Sequence, residues 1–151
     1  MGNEFKPESI MNWNWDKSFR NNLIDFTDSL GTKIKVPSNN SLNFNTVDAT
    51  LEICKKLGIK MRGHVLVWHS QTPDDFFAEG YSAKTSGELI TNLVDKDTMT
   101  ARQEWYIKTV LEHVADWEAE YNNGEHIIWA WDVVNEAMAD DAGNTSYDYI
   151  K

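Results

Sequence analysis

The sequence predicts an α/β fold with parallel strands, and two observations carry that prediction. The first is a crossover: an apolar run rich in β-branched residues, Ile59 to Trp68, leads through a mixed loop to a long apolar stripe. That stripe, Thr100 to Tyr121, leads directly into a second apolar run, Ile127 to Val134. Strand, helix and strand in that order form one unit whose strands run parallel. The second observation is that both runs stop abruptly in polar groups, Trp68-His69 and Asn135-Glu136. Buried strands deliver side chains to the rim of a sheet or barrel in this way, and parallel strands put both ends at one edge, where α/β folds place their sites.

Taken in order, residues 3 to 9 read as the polar end of an element. Trp13, Trp15, Phe19, Leu23, Ile24 and Phe26 recur loosely at helical spacing, which predicts a helical turn or two from about Asp16. Thr32 to Val36 alternates weakly, and Pro37 to Ser41 reads as a turn-forming loop. From Asn45 the pattern sharpens. Val47, Leu51, Cys54 and Leu57 share one face, Asn45 is a candidate cap, and Lys55-Lys56 followed by Gly58 mark a helix end. A tight turn at Gly58 then feeds the strand from Ile59 to Trp68. Pro73 opens a loop, with one short helix expected at Glu88 to Leu93. Thr100 and Gln103 have capping-box spacing, and the stripe Trp105, Ile107, Val110, Leu111, Val114, Trp117, Tyr121 runs to Asn122-Asn123-Gly124. Asp140 to Lys151 is a polar, Gly-containing loop.

The 151 residues, without a long Pro/Gly/Ser tract, make one globular unit the expectation. Fourteen basic against 24 acidic residues give a charge of −10, which argues against nucleic acid or an anionic membrane as partner and favours a neutral or cationic ligand. No apolar run approaches the length of a bilayer span, and the first residues lack the pattern of a signal peptide. Cys54 is the single cysteine and sits in the apolar face of a helix, so it reads as a packed core thiol. Seven Trp residues exceed what such a core requires, and their flat faces with an N–H handle suit stacking on sugars or bases.

The chemistry concentrates in three stretches. The second, Arg62 to Gln71, places His64, Leu66 and Trp68 on one face if the strand alternates. Such a His is as readily structural as functional. Metal binding gets no support, because none of His64, His69, His113 and His126 pairs with another at ligand-like helical spacing. Glu136 would by itself be a solvent-facing carboxylate, but Asn135 beside it supplies an amide able to hold a hydroxyl while the acid protonates something. Asn3, Glu4 and Lys6, standing alone, read as surface polarity.

Together, Asn3-Glu4-Phe5-Lys6, the run Arg62 to Gln71 and Trp131-Asp132-Val133-Val134-Asn135-Glu136 closely resemble, in order and spacing, three successive strand-end motifs of family 10 glycoside hydrolases, the endo-β-1,4-xylanases. The resemblance runs from residue 3 to about 142. It implies that residues 1–151 form one partial catalytic domain, an incomplete (β/α)8 TIM barrel covering roughly strands 2 to 4 with their helices. It makes Glu136 the general acid/base and Asn135 the partner of the 2-hydroxyl of the sugar being cleaved. His64 and Lys6 would hold its 3-hydroxyl side, Trp68 would be the wall it rests on, and Asn3 and Gln71 would be glycone-side partners. Glu4 and Asp132 would support them. No cofactor is implied, the partner is xylan or xylo-oligosaccharide, and the location is extracellular.

An acid working near neutral pH needs burial or a second carboxylate, and a strand end deep in a cleft is expected to provide both. Retention of configuration needs a nucleophilic carboxylate about 5 Å away. The resemblance places it on a later strand, outside this chain, and Asp140 or Asp141 are poorly placed to replace it. Gly2 stands where the family usually has an acid, and residues 12 to 44 form a longer connection than is typical, carrying Trp13 and Trp15. A full barrel needs roughly 250 residues, so unpaired edges and association with a complementary fragment or with itself are expected. A binding-only xylan module and a related cellulose or mannan hydrolase are the alternatives. Ala137 disfavours the hydrolase of cellulose, since many such enzymes carry Pro there.

Overall fold

The computed structural model describes residues 5–13, 16–87 and 89–137. Asn3, Glu4, Trp15, Glu88, Asp140 and Asp141 lie outside the described residues. In chain order come helix α1 (Pro7–Met11), strands β1 (Leu23–Thr27) and β2 (Lys33–Pro37), helix α2 (Asn45–Leu57) and strand β3 (Met61–Trp68). They are followed by a one-turn helix α3 (Asp74–Phe77), the two-residue strands β4 (Thr85–Ser86) and β5 (Leu89–Ile90), helix α4 (Lys96–Tyr121) and strand β6 (Ile128–Asn135).

The crossover has the expected geometry. β3 and β6 pair in parallel from Met61↔Ile128 to Trp68↔Asn135, with α4 carrying the chain between them. Gly63 faces Trp131 across the pair, and a Cβ on Gly63 would stand 2.4 Å from the indole, so only glycine lets that ring lie against the neighbouring strand. Ahead of β3, α2 buries Val47, Leu51 and Cys54, and ends in Gly58 at φ 62, whose N–H reaches the carbonyls of Cys54 and Lys55. Cys54 is a core thiol, in contact with Met61 sulfur at 3.6 Å.

Several elements differ from the sequence expectation. Residues 23 to 27 are a strand instead of helix, forming an antiparallel hairpin with β2. The turn decides it: the Asp28 carboxylate accepts the N–H groups of Leu30 and Thr32, and Gly31 takes φ 89. Residues 89 and 90 are likewise extended, paired with Thr85 and Ser86. Helix α4 begins four residues before Thr100, because the Asp95 side chain accepts from the Thr98 N–H at 2.8 Å. Thr100 is inside the helix, its hydroxyl bonded to the Lys96 carbonyl. Asn45 is the first residue of α2 and no cap; Asn43 accepts its N–H instead. The N-terminal segment is also less polar in role than in composition, since Phe5, Pro7, Ile10 and Met11 are buried.

Trp13 belongs to this core, stacked on Phe19 with centroids 4.3 Å apart and edge-on to Tyr81. Besides Asp28, three charged residues among the described ones are buried. Arg102 donates to the carbonyls of Phe76 and Ala78 and lies over the Tyr81 ring. Glu118 accepts the N–H groups of Ile127 and Ile128, fastening the start of β6 to the end of α4. Asp75 collects Lys17, Arg20 and the Ala83 N–H.

Strand β6 is not the buried strand its composition suggests. Trp129 is 72% exposed and Val133 and Val134 more than half exposed. Among the described residues β6 pairs with β3 alone, so nothing there covers its outer side. No helix of the described residues is long and apolar enough to cross a membrane.

Candidate active site

The parallel register brings the ends of β3 and β6 together. Trp68 lies opposite Asn135, and one residue further the Trp68 indole Nε1–H donates to Glu136 Oε2 at 2.7 Å. His69 Nε2 stands 4.0 Å from the same oxygen. Glu136 has a left-handed backbone, φ 51, which ends the strand immediately after Asn135. Its carboxylate is thereby held across the strand ends by a partner that donates without carrying charge.

One level down, His64 and Asp132 face each other across the same pair of strands. His64 Nδ1 is 3.0 Å from Asp132 Oδ2, and the Arg62 guanidinium donates to Oδ1. The Arg62 hydrogen bond foremost, then that of His64, hold the Asp132 carboxyl below the usual carboxylate range. With Asp132 accepting at Nδ1–H, Nε2 is the ring nitrogen left for a further partner. His64 also meets the Trp68 ring edge-on, 5.9 Å between centroids. Alternation does not continue from His64 to Leu66, because the register shifts between His64 and Val67 and leaves Val65 and Leu66 both buried.

Lys6 and Gln71 join this edge through the backbone. The Glu8 N–H donates to the Gln71 carbonyl at 2.8 Å, so the first turn of α1, with Lys6 in its N-cap position, lies against the loop that follows β3. Gln71 is exposed with φ 48. The structure thus places Trp68, Gln71, Asn135 and Glu136 at one end of the β3–β6 pair, the N-cap position of Lys6 beside the loop that follows β3, and His64 and Asp132 further down the same pair. Asn3 and Glu4 lie outside the described residues.

One expectation is corrected. The Glu136 side chain is 55% exposed, not deep in a cleft, and its polar neighbours are an indole and an imidazole. Two contributors, His69 and Arg62, have no site role in the sequence reading. His69 had a signal, its place beside Trp68 at a strand end; Arg62 had none, because a charge at the start of a strand reads as solvated. Among the described residues no group of three His, Cys, Asp or Glu side chains is arranged to hold a metal ion.

A family model described as Glycosyl hydrolase family 10 matches residues 3–150. The chain belongs to glycosyl hydrolase family 10. Its β3–α4–β6 unit, with α2 ahead of it, is part of that family's (β/α)8 barrel. This family 10 chain is 36% identical to endo-1,4-beta-xylanase A of Butyrivibrio fibrisolvens over 144 residues, 91% of this chain and 31% of that protein. It is 39% identical to endo-1,4-beta-xylanase A of Thermotoga neapolitana over 136 residues, 90% of this chain and 9% of that one. It spans a third or less of these curated relatives. Among solved structures it is similar to the N-terminal endo-1,4-beta-D-xylanase 10B modules of Clostridium thermocellum complexed with xylohexaose. That similarity has a TM-score of 0.61 at 29% identity and covers 96% of this chain and 22% of that one. It is also similar to an intracellular xylanase of Thermoanaerobacterium saccharolyticum in complex with xylotetraose, with a TM-score of 0.60 at 26% identity, covering 92% of this chain and 32% of that one.

Proposed function

We propose that this chain carries the general acid/base half of a retaining endo-1,4-β-xylanase. The observation behind the proposal is the Trp68–Glu136 hydrogen bond, which fixes a carboxylate beside Asn135 at the strand ends of a family 10 barrel. In the first step Glu136 gives its proton to the glycosidic oxygen as a nucleophilic carboxylate takes the anomeric carbon. In the second, water attacks that carbon and Glu136 takes the water's proton. Asn135 binds the 2-hydroxyl, where hydrogen bonds strengthen in the transition state. His64, with Asp132 occupying Nδ1, offers Nε2 to the 3-hydroxyl side together with Lys6. Trp68 is the wall under the ring, Gln71 and Asn3 bind on the glycone side, and Glu4 and Asp132 act through their neighbours.

The nucleophile is proposed to lie outside these 151 residues, so that the chain acts with the complementary part of the barrel. Xylan is the substrate because the similar proteins are named endo-1,4-beta-xylanases and the similar structures hold xylohexaose and xylotetraose. Extracellular action belongs to the same proposal, since a polymer must be cut before uptake. Release of reducing sugar from xylan, after joining the chain to the remaining strands of a family 10 barrel, tests the reading. Activity that disappears in Glu136→Ala is expected; no hydrolysis with any such complement contradicts it.

A further inference from the structure

A cavity of about 770 Å³ opens on the segment between α1 and α2, away from the strand ends. Its size falls in the range of ligand sites, and its lining is distinctive in chemistry. Asn12, Asn21, Asn22 and Asn40 all face it, and none of the four makes a side-chain hydrogen bond to a described neighbour. Each offers two N–H donors and a carbonyl acceptor. Among the described residues no Lys, Arg or His lines it.

That exclusion is built into the local structure. The 3-10 turn Ser18–Asn21 puts residues three apart on one side, so Ser18 and Asn21 face the cavity together. Lys17 and Arg20 are instead drawn to the Asp75 carboxylate, at 2.5 and 2.9 Å. The remaining charge on the wall, Asp16, is held anionic by the Ser18 N–H and repels anions while accepting from hydroxyls. Trp13 and Phe19, stacked and buried, make a rigid floor, and the half-exposed Ile24 and partly exposed Leu42 supply apolar surface at the rim. Amides, hydroxyls, aliphatic patches and no cation are complementary to a neutral polyhydroxylated chain.

We propose that this cavity is a second carbohydrate-binding site, taking a neutral oligosaccharide by amide hydrogen bonding. Helix α1 connects the two sites: between Lys6 at the strand ends and Asn12 on the cavity wall the axis advances about 9 Å. The inference rests on the cavity's own chemistry and not on the proposed hydrolysis.

The test is a titration of the 15N-labelled chain with xylohexaose, following the side-chain amides of Asn21, Asn22 and Asn40 and, separately, the Trp68 indole N–H. Saturable shifts of the three amides are expected, persisting in Trp68→Ala and absent with a hexagalacturonate. In Asn22→Ala/Asn40→Ala, two exposed positions, the Kd read at Asn21 should rise about fivefold or more, with the rest of the spectrum unchanged. Amides that stay still while the Trp68 indole shifts overturn the second site and leave the first standing. Amides that stay still together with the indole overturn it as well. Cavity shifts with an unmoved indole support the second site and count against the first.

Discussion

At the scale of single residues, the fold brings together pairs that are distant in the chain: Trp68 with Glu136 and His64 with Asp132 on the strand pair, and Asp75 with Lys17 and Arg20 in the core. Glu136 and Trp68 stood out because polar groups at the end of an apolar run are conspicuous, and the structure joins them by one hydrogen bond. Arg102, Glu118 and Asp75 did not, since an isolated charge in a sequence resembles every solvated one; only the fold shows each buried among specific partners. Asp75 gives the sharpest prediction. Burial by itself would raise its carboxyl, but the Ala83 N–H, Lys17 and Arg20 together hold it below its ordinary value of 3.8. A depressed folded-state value means that the stabilisation is present above about pH 4 and is lost as pH falls through the folded value. Asp75→Asn should therefore lower stability by about 1–3 kcal/mol at neutral pH. The difference from the parent should shrink on acidification, as read from urea midpoints between pH 7 and pH 3.

At the scale of elements, helices and strands with a strong period were legible. The stripe of α2 with Gly58 behind it, and the two apolar runs that became β3 and β6, were read with boundaries shifted by only a few residues. The hairpin was not, because Trp13, Phe19, Leu23 and Phe26 mimic a helical spacing. Trp13 packs the core from just beyond α1 and Phe19 from a 3-10 turn, whereas the later residues are extended and their fate is set by the Asp28–Gly31 turn. Helix α4 makes the same point about caps. Asp95→Ala should cost about 0.5–2 kcal/mol, and Thr100→Ala, inside the helix, should be nearly neutral; thermal melts of both variants check the assignment. For the strand pair the decisive residue is Gly63. Gly63→Ala drives a methyl into the Trp131 ring and should destabilise by about 1–3 kcal/mol. The double variant with Trp131→Leu should recover much of the loss in the same denaturation experiment.

At the scale of the molecule, composition reached only one globular unit, the order of apolar runs added the α/β class, and the barrel became legible through three ordered motifs. The feature that composition described incorrectly is β6, apolar in sequence yet exposed in Trp129 and Val133 on one face and in Val134 on the other. Such exposure on a strand with one described neighbour is a template for association. The isolated chain should form concentration-dependent oligomers in light scattering, and Trp129→Lys should shift it towards monomer without lowering its melting temperature.

The central claim is that Glu136 donates the proton that lets the sugar leave, and leaving-group dependence tests it most directly. In the chain completed by the remaining barrel strands, Glu136→Ala would be assayed on xylan and on a dinitrophenyl β-xylobioside, whose leaving group departs without a proton. Xylan hydrolysis should fall by about 10²–10⁴-fold while the pre-steady-state release of dinitrophenol is nearly preserved. Equal losses on both substrates, or no loss on xylan, would contradict it.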